Sequence, residues 1–396
     1  VQAVARSAPA VRSEDRAVRP FGIYVHVPFC AARCDYCAFA TWTDRDPLMA
    51  AYVEACVTEL ERARRHEALP PATSVYVGGG TPSRLPPALL ARLVEATVRR
   101  PGAEVTAECN PEDASAGRFA AWRDAGVTRV SFGVQSMVPH VLAGLGRRHG
   151  TTQVARAVAL AGAAGFASIS VDLIVGAAAE RDADLLVTAE AVLALEPRPH
   201  HVSAYALTVE PGTALARRPG CHPDDDASAR RYELLDAVLE AAGYRWYEVS
   251  NWAVPGHECR HNGLYWAQGD YRGVGCSAHS HERGRRWWNV RTPERYIEAV
   301  GAGRSATAGE EVLTPEQSAF EAMALALRTS AGVPAWAVPF EPALEPLVQR
   351  RGDRAVLTVR GRLLANEVTV RLRLDEGAAT GARAPVGAGG APAAAR

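Results

Sequence analysis

From residue 22 to about residue 207 the chain alternates two kinds of apolar pattern. Short runs rich in β-branched and aromatic residues read as six strands: "GIYVHV" (22–27), "SVYV" (74–77), "EVTAEC" (104–109), "RVSFGV" (129–134), "SISVDLIVG" (168–176) and "HVSAYAL" (201–207). Between them, "LMAAYVEACVTELERARRH" (48–66), "ALLARLVEATVRR" (88–100), "TTQVARAVALAGAAG" (151–165) and "ADLLVTAEAVLALE" (183–196) carry apolar residues at helical spacing. Repeated strand, helix, strand order with near-continuous apolar strands predicts an α/β fold, a parallel sheet with helices outside.

The unusual residues stand at the ends of those strands. Cys30, Cys34 and Cys37 follow the first, Gly78, Gly79 and Gly80 the second, and Glu108 and Asn110 close the third. Gln135 follows the fourth, while Asp172 and Tyr205 lie late in the fifth and sixth. In a complete or partial β/α barrel all of them meet at the C-terminal mouth, where such folds carry their sites. Turns also collect Gly and charged residues, but that does not account for the cysteines.

Beyond about residue 215 the pattern changes. "DASARRYELLDAVLEAAGY" (226–244) reads as a helix, and the stretch 247–290, rich in aromatics, Gly and His, reads as irregular, a site more than a scaffold. A final module combines a helix at 314–328, a second near "PALEPLVQR", and "LTVRG", which resembles the end of a small winged-helix-like domain. Residues 1–19 and 375–396 lack periodicity and read as disordered tails. The division expected is therefore a barrel over 20–215, an extension over 216–312, a smaller α+β module over 313–374, and the two tails.

Composition narrows the function classes. Basic and acidic residues balance at 44 each, every basic residue being Arg, so no net field points to nucleic acid or an anionic membrane. No run of about 18 apolar residues could span a bilayer, and the first twenty residues lack the apolar core of a secretion signal, which predicts a cytoplasmic protein. In a reducing compartment, clustered cysteines serve metals or redox chemistry more often than structural disulfides.

The cysteine spacing, Cys-x3-Cys-x2-Cys in "CAARCDYC" (30–37), admits three readings. A zinc site needs a fourth ligand, and His26 lies in a strand whose alternation turns it away from the loop. A redox pair needs only Cys34 and Cys37 and leaves Cys30 unexplained. A cubane iron–sulfur cluster normally takes four Cys ligands, so three would leave one iron open to a small molecule. The cluster is the favoured reading.

At this point the chain resembles the radical S-adenosylmethionine (SAM) superfamily, and within it the oxygen-independent coproporphyrinogen oxidase group, over about residues 20–374. The resemblance rests on "CAARCDYC", "GGGTPS" (78–83), "ECNPE" (108–112), "SFGVQS" (131–136), "LGRRH" (145–149) and "SVDLIVG" (170–176). It implies a partial (β/α)6 TIM-like barrel and a [4Fe-4S] cluster on Cys30, Cys34 and Cys37 whose open iron chelates SAM. It further implies Tyr24 beside the cluster and Tyr36 on the adenine side, with Gly79, Gly80 and Thr81 receiving the SAM amino group and Glu108 close by. Gln135, Arg147 and Asp172 match residues that hold a second SAM or nearby substrate, and Ala206 and "GCSAHS" (275–280) match backbone contacts to the adenosine.

One position separates two activities. The oxidase motif continues to a fourth Cys two residues after the third, where this chain has Phe39, so the loop resembles the oxidase-like branch regarded as haem chaperones. "HNGLYW" (261–266) matches a motif of that branch linked to haem, which implies His261 as an iron ligand with Tyr265 and Trp266 stacked on the porphyrin. His257, Cys259, His279 and His281 are alternative axial ligands. The expected function is haem binding and transfer to an acceptor protein, with an electron donor for the cluster. The alternatives are the oxidase itself, or a radical SAM enzyme on another substrate.

Overall fold

The structure, a computed structural model, describes residues 19–374 except Ala68 and Ala179. The two expected tails lie outside the described residues, Arg19 apart.

The six expected strands form as β1 (Phe21–Val27), β2 (Ala72–Gly79), β3 (Arg99–Cys109), β4 (Arg129–Gln135), β5 (Ser168–Val175) and β6 (His201–Ala206). They lie side by side in that order, every pair parallel. The connections carry α1 (Met49–His66), α2 (Pro87–Glu95), α3 (Ala116–Asp124), α4 (Pro139–Gly144), α5 (Thr151–Ala163) and α6 (Asp182–Leu193). The α2 helix ends five residues earlier than its spacing suggested, because Arg99 already belongs to β3.

The strands are less uniformly apolar than a doubly covered sheet requires, and the exceptions fall at every second position. Ile23, Val25, Val75, Val77, Val105, Val130, Phe132, Ile169, Val171 and Val202 join the core under the helices. The alternate residues bond to one another across the other face: Tyr76 to Glu108, Arg129 to Ser168, Ser131 to Asp172 and Ser170 to His201. The period of two therefore separates an apolar outer layer from a polar lining.

The stretch 216–312 does not stand apart from this sheet, which runs on without a break at residue 215. After α7 (Asp225–Ala241), β7 (Arg245–Glu248) and β8 (Asn251–Ala253) add antiparallel strands beyond β6. After α8 (Arg260–Trp266), β9 (Asp270–Val274) pairs parallel with β1, and β10 (His279–Glu282), β11 (Arg285–Asn289) and, after α9 (Pro293–Gly301), β12 (Thr307–Val312) complete twelve strands. The segment read as irregular is thus largely scaffold. Its strands are three to five residues long, too short to display a period.

The helix α8 shows that the sheet is curled. His261 bonds Ser74 on β2, and the next residue, Asn262, bonds Tyr247 and Glu248 on β7. Those strands stand six places apart in the sheet, roughly 29 Å if it were flat. Adjacent helix residues can reach both only inside a partial barrel.

The last module has its own small core of Leu327, Val333, Val338, Leu344, Leu347, Leu357 and Val368. It comprises α10 (Pro315–Leu327), a sheet of β13 (Val333–Pro334), β14 (Val348–Arg351) and β15 (Arg354–Leu357), and helices α11 (Val359–Leu363) and α12 (Ala365–Thr369). The helix expected near "PALEPLVQR" is absent: Pro342 and Pro346 interrupt it and Val348 opens a strand. Among the described residues no helix is long and apolar enough to cross a membrane.

Candidate functional site

The cysteine loop is closed at its base by a bridge between Phe29 and Trp42. Trp42 donates its N–H to the carbonyl of Pro28 (2.8 Å) and Cys30 donates to Trp42 (3.0 Å). Within the loop, Cys37 N–H reaches the Cys34 carbonyl at 3.1 Å, a tight turn. Cys30 is buried, Cys34 and Cys37 are half-buried, and all three are free thiols. Among the described residues no three His, Cys, Asp or Glu side chains close on one metal ion. Burial pushes the Cys30 thiol up to about 11, and burial likewise raises Cys37.

The turn after β2 grips this loop. Gly80 N–H donates to Val27 (2.7 Å), Thr81 N–H to Phe29 (2.9 Å), and the Thr81 hydroxyl to Cys30 Sγ (3.4 Å). A Cβ at Gly80 would stand 3.0 Å from Cys30 Sγ and 2.9 Å from the Val27 oxygen, so only glycine permits the approach. Gly79 N–H goes to Glu108 Oε2 at 3.1 Å. The N–H groups of all three residues are therefore spent, and what remains for an ammonium is acceptor character from Glu108 and hydroxyl oxygen.

Contrary to the expectation from alternation, His26 faces the loop. Its Nε2 stands 3.0 Å from the Ala40 carbonyl and its Nδ1 3.0 Å from the Tyr24 hydroxyl. A carbonyl only accepts, so Nε2 carries the proton and Nδ1 accepts from Tyr24. With both nitrogens committed, and its pKa lowered by burial, His26 holds the loop as a neutral strut and is not a fourth ligand.

Other expected residues do meet at this mouth. Arg147 reaches Cys34 Sγ (3.5 Å), Asn110 Oδ1 (2.9 Å) and the Gly133 carbonyl (2.7 Å). Burial opposes its charge, but Tyr36 and Cys34 outweigh that and raise its pKa. Gln135 has φ 66° at the β4 bulge, the strained backbone common at functional sites. Tyr36 packs against an apolar rim that includes Leu145, Leu207 and Leu215. Ala206 ends β6 opposite Val175.

Glu108 and Asp172 form an acidic pair. Burial first, then the charge of Asp172, raises Glu108 to about 7, partly offset by the hydrogen bonds from Tyr76 and Gly79. Burial also raises Asp172, against hydrogen bonds from Ser203 and Ser131.

A network the sequence reading missed holds the "GCSAHS" turn beside this mouth. Tyr52 donates to the His26 carbonyl (2.8 Å) and accepts from Cys276 N–H (2.9 Å). Glu59 accepts from Gly275 N–H (3.2 Å) and Asn289 (3.2 Å), with Tyr296 as a further donor at 2.5 Å. Tyr52 and Glu59 fall on α1 among ordinary helix residues, so only contact reveals them.

The "HNGLYW" segment lies elsewhere. His261 is 1% exposed, with Nδ1 at 3.0 Å from Ser74 and Nε2 at 2.9 Å from the Tyr265 hydroxyl. Ser74 sits near the start of β2, at the opposite end from the cysteines. Burial lowers the His261 pKa to about 3. Tyr265 packs edge-on to Tyr271, and Trp266 is half-buried beside Glu248. As placed, His261 offers no lone pair to an iron; it locks α8 into the barrel floor.

Two outcomes follow. Glu108 has a folded pKa above its ordinary value of 4.5, so its contribution to stability is complete below about 4.5 and is lost as pH rises through about 7. The loss amounts to roughly 3 kcal/mol at most, discounted for water reaching the mouth. Urea unfolding between pH 4.5 and 7.5 checks this, Glu108→Gln flattening the slope; an equal slope in both proteins would refute it. His261→Ala leaves two buried hydroxyls unpaired beside a cavity and costs about 3 to 5 kcal/mol. An unfolding midpoint unchanged from the parent would show that α8 needs no such lock.

Comparison with known proteins agrees with this geometry. The radical SAM superfamily matches residues 24–192. A heme chaperone HemW from Mycobacterium tuberculosis is 45% identical over 371 residues, 88% of this chain and 94% of that protein. The heme chaperone HemW of Escherichia coli is 38% identical over 265 residues, 66% and 70% respectively. Among solved structures, the coproporphyrinogen III oxidase HemN of Escherichia coli, titled a radical SAM enzyme, matches with TM-score 0.76, covering 89% of this chain and 90% of that one. At 22% identity that likeness is one of fold. The chain belongs to the radical SAM superfamily and, within it, to the family of the heme chaperone HemW proteins.

Proposed function

We propose that the chain binds haem and passes it to an acceptor protein, and keeps a [4Fe-4S] cluster on Cys30, Cys34 and Cys37 with SAM on its fourth iron. The observation that carries the reading is Phe39 where the oxidases place a fourth Cys, in a chain 45% identical over most of its length to a protein named heme chaperone. The loop fits the cluster, since three free thiols stand on one stapled turn and Arg147 lies against Cys34. When bound, such a group supplies an electron to the sulfonium of SAM.

The chain's own residues act around it. Glu108 and the turn at Gly79, Gly80 and Thr81 present acceptors to the SAM ammonium, and the Arg147 guanidinium balances negative charge gathered at the loop. Tyr24 and Tyr36 flank the nucleoside, with Ala206 and the 275–280 turn along its edge. Gln135 and Asp172 border the space where a second SAM or a nearby substrate would come. An electron donor reaches the loop from the mouth side, and the cytoplasm is the compartment that fits free thiols.

Anaerobic reconstitution followed by iron and sulfide analysis tests the ligands. Cys30→Ala, Cys34→Ala and Cys37→Ala each lose the cluster, whereas Cys56→Ala, in the α1 core, keeps it. Retention of a full cluster by any of the first three would remove that residue from the set. The loaded protein binds one equivalent of haem and, given SAM and coproporphyrinogen III without oxygen, forms no protoporphyrinogen. Robust decarboxylation would replace the carrier reading with the oxidase.

A further inference from the structure

Five side chains in the region 257–281 stand as candidate iron ligands from the sequence, and the structure separates them by whether a lone pair is free and on which side of the barrel it lies. His261 has both nitrogens engaged at the barrel floor. Cys259 is buried there and its thiol faces Glu104 at 3.5 Å. His257 stacks on His200 with ring centroids 4.3 Å apart, and its carbonyl caps Arg129 at the start of β4. All three stand at the end of the barrel remote from the cysteines.

His279 and His281 are different. His279 opens β10 directly after the turn that Tyr52 ties to the end of β1, and so lies towards the cluster end, whereas His281 pairs with Tyr271, itself opposite Gly22 at the start of β1, and lies lower, towards the floor. Two residues apart on one strand, they share a face with their cross-strand partners Trp288 and Arg286 on β11. His279 is exposed, no hydrogen bond occupies its ring, and it lies almost parallel to the Trp288 ring, 5.8 Å between centroids. Its pKa is lowered, by burial of its flank and then by Arg286. A Cβ at Gly309 would come within 2.5 Å of the Trp288 ring, so glycine there lets the indole lie flat on β12.

His281 supplies the second observation. Its Nδ1 stands 2.9 Å from the Gly269 carbonyl, which can only accept, so Nδ1 carries the proton and Nε2 keeps its lone pair. That Nε2 is buried and has no partner, on a side chain 6% exposed. A bare buried acceptor on the same face as an open imidazole marks a surface completed by a ligand.

We propose that haem seats on the inner face of β10 and β11 with His279 as the axial ligand of its iron and Trp288 as its aromatic floor. This inference rests on the haem-carrier reading and relocates its iron ligand from His261. Arg286 is already paired with Glu311 (2.8 Å) and Glu321 (3.0 Å), so it would not be free to hold a haem propionate.

The experiment is anaerobic titration of the full, cluster-loaded chain with ferric haem, followed by the Soret band, for the parent, His279→Ala, His279→Gly and His281→Ala. Circular dichroism shows that each variant is folded. The expected result is a loss of about tenfold or more in affinity for His279→Ala, and recovery of the parent spectrum when imidazole is added to His279→Gly. If the parent binds haem and His279→Ala binds it with the same affinity and spectrum, the assignment is overturned while the carrier reading stands. The same holds if only His281→Ala loses the axial signature. If the parent takes up no haem, the carrier reading falls and this inference falls with it.

Discussion

The site depends on the grip of one turn on another. Residues 28–42 form a long irregular loop with three thiols to place, held within itself by the Phe29–Trp42 bridge, one internal turn and a bond from Arg33 to the Cys37 carbonyl. From outside, Leu215 and Arg147 hold it at Asp35 and Cys34, and the bonds from Gly80 and Thr81 to Val27, Phe29 and Cys30 fix the first thiol. Each such bond is worth only about 1 kcal/mol net. Their effect is geometric: they bring the backbone of β2 against the thiol of Cys30, which is possible because no Cβ intervenes. His26 adds a second strut through Ala40, and Tyr52 a third through the His26 carbonyl.

The barrel interior is built for charge and hydrogen bonding more than for packing. A sheet with helices on one face only needs one apolar face, and the chain spends the other on Tyr, Ser, Thr, Glu, Asp, Arg and His. The groups satisfy each other in pairs along the lining, so the polar interior costs little until a partner is removed. At the mouth the pairing is incomplete in one respect: Glu108 and Asp172 accept from hydroxyl and amide donors, and among the described residues no cation is bonded to either. A site so arranged favours a positively charged guest.

The same logic closes the opposite end. The α8 helix is short and polar at His261 and Asn262, yet it is held by bonds to β2, β3 and β7 at once. It therefore acts as the floor that keeps a curled, unclosed sheet from flattening. The segment beyond it turns back as β9 beside β1, and the turn that follows places His279, at the start of β10, towards the cluster end. Cofactor loop, acidic pair and open imidazole thus share one side of the barrel because β9 runs parallel to β1.

The strand and helix pattern, the convergence of strand ends and the spacing of three cysteines were legible in the chain because each is a local or periodic signal. Cys-x3-Cys-x2-Cys on a loop and Gly after a strand keep their meaning wherever the fold puts them, and Phe39 distinguishes two branches by identity alone. The polar lining was equally written, at every second strand position, but it was read as continuous apolar strand because the outer residues dominate the average. The direction of His26, the anchoring of the 275–280 turn by Tyr52 and Glu59, and the placing of His261 at the floor and His279 at the mouth were decided only by the tertiary structure. His26 is turned by Ala40, 14 positions away, and the others depend on contacts such as those of His261 with Ser74 and Tyr52 with Cys276, 187 and 224 positions apart. An imidazole's role is set by whether its ring nitrogens are engaged, and in this chain Ser74 on a distant strand and Tyr265 one helical turn away engage those of His261, while among the described residues no hydrogen bond engages those of His279.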